Sequence, residues 1–134
     1  MSQENVDKAR DFIAAYNRRD FDAAVETFDP EVDWVLPARQ RSDSCRGPEE
    51  IKRFWRDIDE TFDELRLEPQ EFIDAGDHVA TRLRHYGRSK SGAAIDEELY
   101  HQVATFRAGR IVRMEYFGDW GEALEAAGLR DPST

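Results

Sequence analysis

The sequence predicts an α+β domain: a cone-shaped, curved antiparallel sheet wrapped around three helices. Three observations carry that prediction. The first half of the 134 residues holds apolar stripes at helical spacing. After Arg66 the apolar period changes from 3.6 to 2. The remaining chain then reads as meandering strands divided by glycine-bearing turns, with one short helix at the end.

The first helix carries Val6, Ala9, Phe12, Ile13 and Tyr16 on one face, and the polar Asn17-Arg18-Arg19 ends it. Asp20 is a fresh N-cap, and Phe21, Ala24, Val25 and Phe28 form a second short stripe that Asp29-Pro30 stops. So short a link folds the two helices against each other. Val32 to Leu36 is a strand ended by Pro37, and residues 38–46 form a polar loop with Arg39, Arg41 and Arg46. Gly47-Pro48-Glu49-Glu50 opens a third helix, with proline in its first turn and acids where the helix dipole favours them. Its stripe of Ile51, Phe54, Trp55, Ile58 and Phe62 faces the core.

Leu67 to Ala75 is the next strand, where Pro69 implies an edge or a bulge. Gly76-Asp77 turns the chain into a strand from His78 to Arg88, and Ser89 to Gly92 turns it into a long strand from Ala94 to Arg107. The loop Arg107-Ala108-Gly109 predicts a type I turn with a bulge at Gly109. That loop pairs Phe106 with Arg110, so Gln102 faces Met114 and Tyr100 faces Tyr116. Asp119 caps a last helix with Glu122 three residues on, and Gly128 fits its C-terminal end. The whole reads as one domain over residues 1–134, its core spanning about residues 4–128.

Composition excludes several classes. A hydrophobic fraction of 40% with 11% aromatics is too apolar for a disordered chain. Nineteen basic against 29 acidic residues give a net charge of −10, which argues against nucleic acid and anionic membrane as partners. The lone Cys45 forms no internal disulfide, and no apolar run reaches membrane-spanning length, so a cytoplasmic protein is expected. The three histidines lack ligand spacing and no glycine-rich phosphate loop joins a strand to a helix, so neither metal nor cofactor is expected.

The stretches Tyr16 to Val25, Pro30 to Trp34, Arg46 to Trp55, Glu71 to Asp77, Phe106 to Arg113 and Glu122 to Leu129 resemble the SnoaL-type members of the nuclear transport factor 2-like superfamily. The resemblance spans nearly the whole chain and rests mostly on structural motifs. It implies the cystatin-like cone, a pocket between curled sheet and helices, and a homodimer through the outer sheet face. It also implies a choice among isomerase, cyclase, hydrolase and non-catalytic relatives.

Matched by motif, the steroid isomerase base, tyrosine and acid fall on Leu36, Phe12 and Gln102, which cannot do that chemistry. The epoxide hydrolase set falls on Trp34, Leu36 and Tyr116, and it fails as well. A cyclase needs only one well-placed acid or base.

Alternation along the strands puts Val79, Thr81, Leu83 and His85 on one face with Asp96, Glu98, Tyr100 and Gln102. His85 then stands opposite Asp96, either as an oriented proton carrier or as a solvated surface pair. Glu98 stands opposite Leu83, where burial would raise its pKa for acid or base work. These two are the catalytic candidates.

Tyr16, Trp34, Leu36, Trp55, Tyr100, Gln102, Met114 and Tyr116 are the expected ligand-binding set. Two readings stand for them: a mostly apolar pocket with a few polar anchors for a small hydrophobic molecule, or an aromatic core filled by its own side chains. On the opposite face, His101, Val103, Thr105, Ile111 and Phe117 are too apolar to lie bare, which predicts a homodimer interface.

Overall fold

The computed structural model describes residues 2–37 and 44–129. Arg39, Arg41 and the C-terminal Asp-Pro-Ser-Thr therefore lie outside the described residues. The element order is α1 (Ser2–Asn17), α2 (Phe21–Ala24), β1 (Phe28–Val35), β2 (Cys45–Arg46), α3 (Pro48–Thr61), β3 (Phe62–Ala75), β4 (His78–Ser89), β5 (Ala94–Glu97), β6 (His101–Arg107), β7 (Arg110–Phe117) and α4 (Trp120–Ala126). The strands form one sheet in the order β2-β1-β7-β6-β4-β3, with β5 paired to β4. All neighbours are antiparallel except β1 and β7, which run parallel, so the sheet is mixed rather than purely antiparallel.

The helices largely follow their stripes. Asp20 caps α2, its carboxylate accepting from the Ala23 N–H at 3.1 Å. That helix lasts a single turn, and Phe28 opens β1 instead of closing the second stripe. Cys45 and Arg46 pair with Trp34 and Asp33 as a short edge strand, not as part of a loop. Asp119 caps α4 by accepting from the Glu122 N–H at 3.0 Å.

Pro69 lies in the edge strand β3 beside a bulge between Pro69 and Glu71, as expected of a residue that cannot donate to the ladder. The first part of β3 bends more sharply, with Glu64 at φ +57° and a second irregularity before Arg66. Gly87 of β4 passes this bend so closely that an added Cβ would stand 2.9 Å from the Leu65 Cα.

Two register expectations are corrected. The β6–β7 hairpin turns on only two residues, Ala108 and Gly109, both with positive φ, in the manner of a type I′ turn. Arg107 therefore pairs with Arg110, and a bulge follows in which Phe106 pairs with Ile111 but Thr105 with Arg113. Gln102 consequently faces Tyr116, and Met114 faces Ala104. The turn and the bulge each shift the register by one residue, so the inner face keeps its members. Ile111 is the exception: the bulge carries it from the expected outer face into the main core.

The second correction concerns the long strand, which breaks at Glu98, Leu99 and Tyr100. Before the break His85 pairs with Glu97; after it Thr81 pairs with Gln102, so the break absorbs one extra residue. The expected His85–Asp96 pair does not form, because Asp96 stands opposite Tyr86.

The main core lies between α1, α3 and the inner sheet face. Trp55 sits at its centre, its ring 5.2–5.8 Å from those of Phe21, Tyr16, Trp34 and Phe12. A second cluster lies on the outer face, where Ala123 of α4 and Ala127 just beyond its end cover Ala80 and Val103. The apolar outer face that suggested a dimer is thus partly covered by the chain's own last helix.

Candidate functional site

Between α1, α3 and the curled sheet lies a cavity of about 330 Å³. Tyr16 comes from α1, Trp34 from β1, Phe54, Trp55 and Ile58 from α3, and Leu65 and Leu67 from β3. His85 of β4, Leu99 and Tyr100 of the strand break, and Tyr116 of β7 complete the far wall. Phe12, Leu36 and Phe62 also line it. No Asp, Glu, Lys or Arg lines this cavity among the described residues.

The polar groups of the wall are few and each has a distinct environment. Tyr116 donates its hydroxyl proton to Gln102 Oε1 at 3.0 Å and packs its ring 4.8 Å from that of Trp34. Gln102 is fully buried behind it, with Nε2 unpartnered among the described residues. The Trp34 indole N–H and the Thr81 hydroxyl, cross-strand from Gln102, are likewise buried without a partner there. Such groups cost about 1–3 kcal/mol each when left unmet. Burial pushes the Tyr116 phenol well above its ordinary pKa and raises Tyr16 to about 12, although the Arg19 guanidinium beside Tyr16 pulls the other way. Both phenols are therefore neutral.

His85 is 5% exposed, and burial lowers its pKa to about 4 against the opposing pull of the Glu97 carbonyl. Its Nδ1 accepts from the Leu99 N–H at 3.3 Å, and its ring stands edge-on to Tyr100 at 6.1 Å. His85 is thus a buried cavity residue and not half of a solvated pair.

Glu98 does not line the cavity. The β5 register, one residue off the expected pairing, puts Glu98 with Asp96 on the opposite sheet face, where Glu98 accepts from Arg82 Nε at 2.7 Å. That hydrogen bond lowers its pKa, the reverse of the rise expected from burial. His101 Nε2 stands 3.7 Å from the same carboxylate, with the His101 ring edge-on to Trp120 of α4. Nearby, Arg84 pairs with Asp96 at 2.7 Å and Lys90 with Asp63 at 2.6 Å, so much of the basic strip on β4 is neutralised by its neighbours.

Of the expected binding set, Tyr16, Trp34, Leu36, Trp55, Tyr100 and Tyr116 line the cavity together. Gln102 stands behind Tyr116, and Met114 is fully buried in the core. Leu99 and Leu65 are wall residues that sequence reasoning missed. Their strands leave regular geometry at those points, and alternation carries no signal there. No group of three or more His, Cys, Asp or Glu side chains could hold a metal ion among the described residues.

The sequence that builds this cone matches a known family. Residues 9–114 match the SnoaL-like domain. The chain belongs to the SnoaL-like family. No curated protein matches this SnoaL-like domain, but solved structures do.

It is similar to a nuclear transport factor 2-like protein of unknown function from Burkholderia pseudomallei K96243, at 25% identity over 91% of this chain and 95% of that one, with a TM-score of 0.78. TerC, co-crystallised with polyporic acid, is 25% identical over 93% and 98% of the two chains, with a TM-score of 0.77. A candidate polyketide cyclase from Sinorhizobium meliloti is 25% identical over 83% and 94%, with a TM-score of 0.68. The SnoaL-like domain also has no helix among its described residues long and apolar enough to cross a membrane.

Proposed function

We propose that this SnoaL-like domain binds a small, flat, mostly apolar molecule in its cone. One observation carries the reading: a cavity of about 330 Å³ stays open among aromatic side chains that could have closed on one another. An aromatic core filled by its own rings would leave no such space. TerC supplies a precedent in a relative, since it was co-crystallised with a small molecule. The experiment is a tryptophan-fluorescence titration with 2-ethylnaphthalene, because Trp34 and Trp55 both face the cavity. Saturable quenching is expected, weakened at least tenfold by a folded Leu67→Trp variant that fills the space. Absence of saturable binding contradicts the proposal.

A specific observation favours a second reading, in which the domain is also a proton-transfer enzyme of the isomerase, cyclase or hydrolase kind. His85 puts an imidazole in the cavity wall, while Glu98 faces away. The proton-carrying role then falls to His85 alone. Any turnover found should fall at least a hundredfold in His85→Gln, and unchanged turnover would remove the role.

A homodimer through the outer sheet face would use what α4 leaves half-buried there, chiefly Ile73 and Phe117.

A further inference from the structure

Between the β4–β5 and β4–β6 registers, residues 82–84 have no strand partner on that side, because residues 98–100 have left the ladder. A buried Leu83 N–H would be stranded there, and buried amides in folded proteins find acceptors. The His101 side chain supplies one: its Nδ1 takes the Leu83 N–H at 3.2 Å, with His101 only 3% exposed. A ring nitrogen that accepts carries no proton, so this imidazole is neutral and its proton sits on Nε2, 3.7 Å from Glu98 Oε1. Glu98 is itself held by Arg82 of β4. Residues 98–101 are thus pinned to β4 at both ends, while Leu99 and Tyr100 between the pins line the cavity. We propose that His101 is a proton-operated latch on the cavity wall. Neutral, it ties the wall to β4 through Leu83; protonated, it releases Leu83, turns to Glu98, and lets Leu99 and Tyr100 move. The latch goes beyond the small-molecule reading and does not depend on a ligand.

An imidazolium has two N–H groups and no acceptor, so a proton arriving on Nδ1 meets the Leu83 N–H head-on. The ring must then leave Leu83, and its surroundings give it a place to go. The Glu98 carboxylate lies beside it, and Asp119, the N-cap of α4, adds a second favourable charge. Burial opposes the charged ring most strongly and Arg82 of β4 adds to that, so the pKa lies below its ordinary 6.5. His85 reaches the same break from the inner face and repels the charge only when it is itself protonated. The neighbours Phe117 on β7 and Trp120, whose ring stands edge-on at 5.4 Å, are uncharged. The latch is therefore shut at neutral pH and opens only as pH falls below 6.5.

Amide exchange of the full chain, followed by NMR from pH 7 downwards with His101 titrated in the same samples, tests this. Protection of the Leu83 N–H should fall by roughly tenfold or more over the range in which His101 takes up its proton. The Leu99 methyl signals should shift with the same midpoint, while Ile13 in α1 keeps its protection and so excludes global unfolding. His101→Asn places a side-chain oxygen near the Nδ1 position and cannot be protonated in this range, so it should keep Leu83 protected throughout. His101→Phe should leave Leu83 exchanging fast already at pH 7, with no further loss in acid. If the Phe variant does not fold, the Asn variant decides alone. Leu83 protection that survives the charging of His101, or a loss that persists in His101→Asn, overturns the latch. A proton on His101 Nδ1 at pH 7, or no proton uptake before Ile13 loses its protection, overturns it too. Release of Leu83 with unmoved Leu99 signals overturns the link to the cavity wall.

Discussion

Removing the ionisable ring of His85 should flatten the acid limb of the stability curve. The folded protein holds this imidazole at a pKa of about 4, against an ordinary value of 6.5, chiefly because burial disfavours the charged form. Below pH 6.5 the unfolded chain takes up the proton first, so stability falls as pH drops from 6.5 towards 4. At 1.36 kcal/mol per unit, the loss from this one group is about 2 kcal/mol between pH 7 and pH 5, and about 3 kcal/mol by pH 4. Carboxylates whose folded pKa is depressed, such as Glu98, also lose stability in acid, but they do so in wild type and variant alike. The assay is urea denaturation of the wild type and of His85→Gln at pH 7 and pH 5. The wild type should lose about 2 kcal/mol more than the variant across that interval. Parallel losses, or an imidazole that titrates near 6.5 by NMR, would show that His85 is solvated and would refute its placement in the cavity wall.

Other perturbations probe the frame around the site. Gly87→Ala forces a Cβ to within 2.9 Å of the Leu65 backbone, and overpacking of that kind costs about 1–3 kcal/mol, so the melting temperature should drop by roughly 3–10 °C. Glu98→Gln should change probe affinity in the cavity less than twofold, because the carboxylate lies on the other sheet face with Arg82; a larger effect would contradict that placement. Light scattering at micromolar concentration should report a dimer if Ile73 and Phe117 form the outer-face interface, and Phe117→Asp should then give monomer; a wild-type monomer removes the interface.

Most of this architecture was legible because helical and strand periods are set by burial. Phe12, Tyr16 and Trp55 fall on stripes, and the stripes face the core. The inner face of β6 and β7 was also legible, for a less obvious reason. The two-residue turn and the following bulge each shift the ladder by one, and together they restore the side-chain parity that simple alternation assumes. The turn before β5 shifts the ladder by one residue, since Arg88 pairs with Ala94, and the break between β5 and β6 absorbs a second. Parity is therefore flipped only from β5 to Glu98, which goes to the outer face with Arg82, while Leu99 and Tyr100 both line the cavity and Gln102 keeps its expected face. No residue type in Glu98-Leu99-Tyr100 marks such a break, since none is glycine or proline. The fate of Val103 was equally hidden, because only tertiary packing lays α4 across it.

The central claim is that the cone holds a small, mostly apolar ligand. A crystal structure of the protein with 2-ethylnaphthalene tests it most directly. Ring density packed against Trp34 and Tyr116 is the expected result. Aromatic side chains closed over an empty cone, or a ligand bound elsewhere, would contradict it.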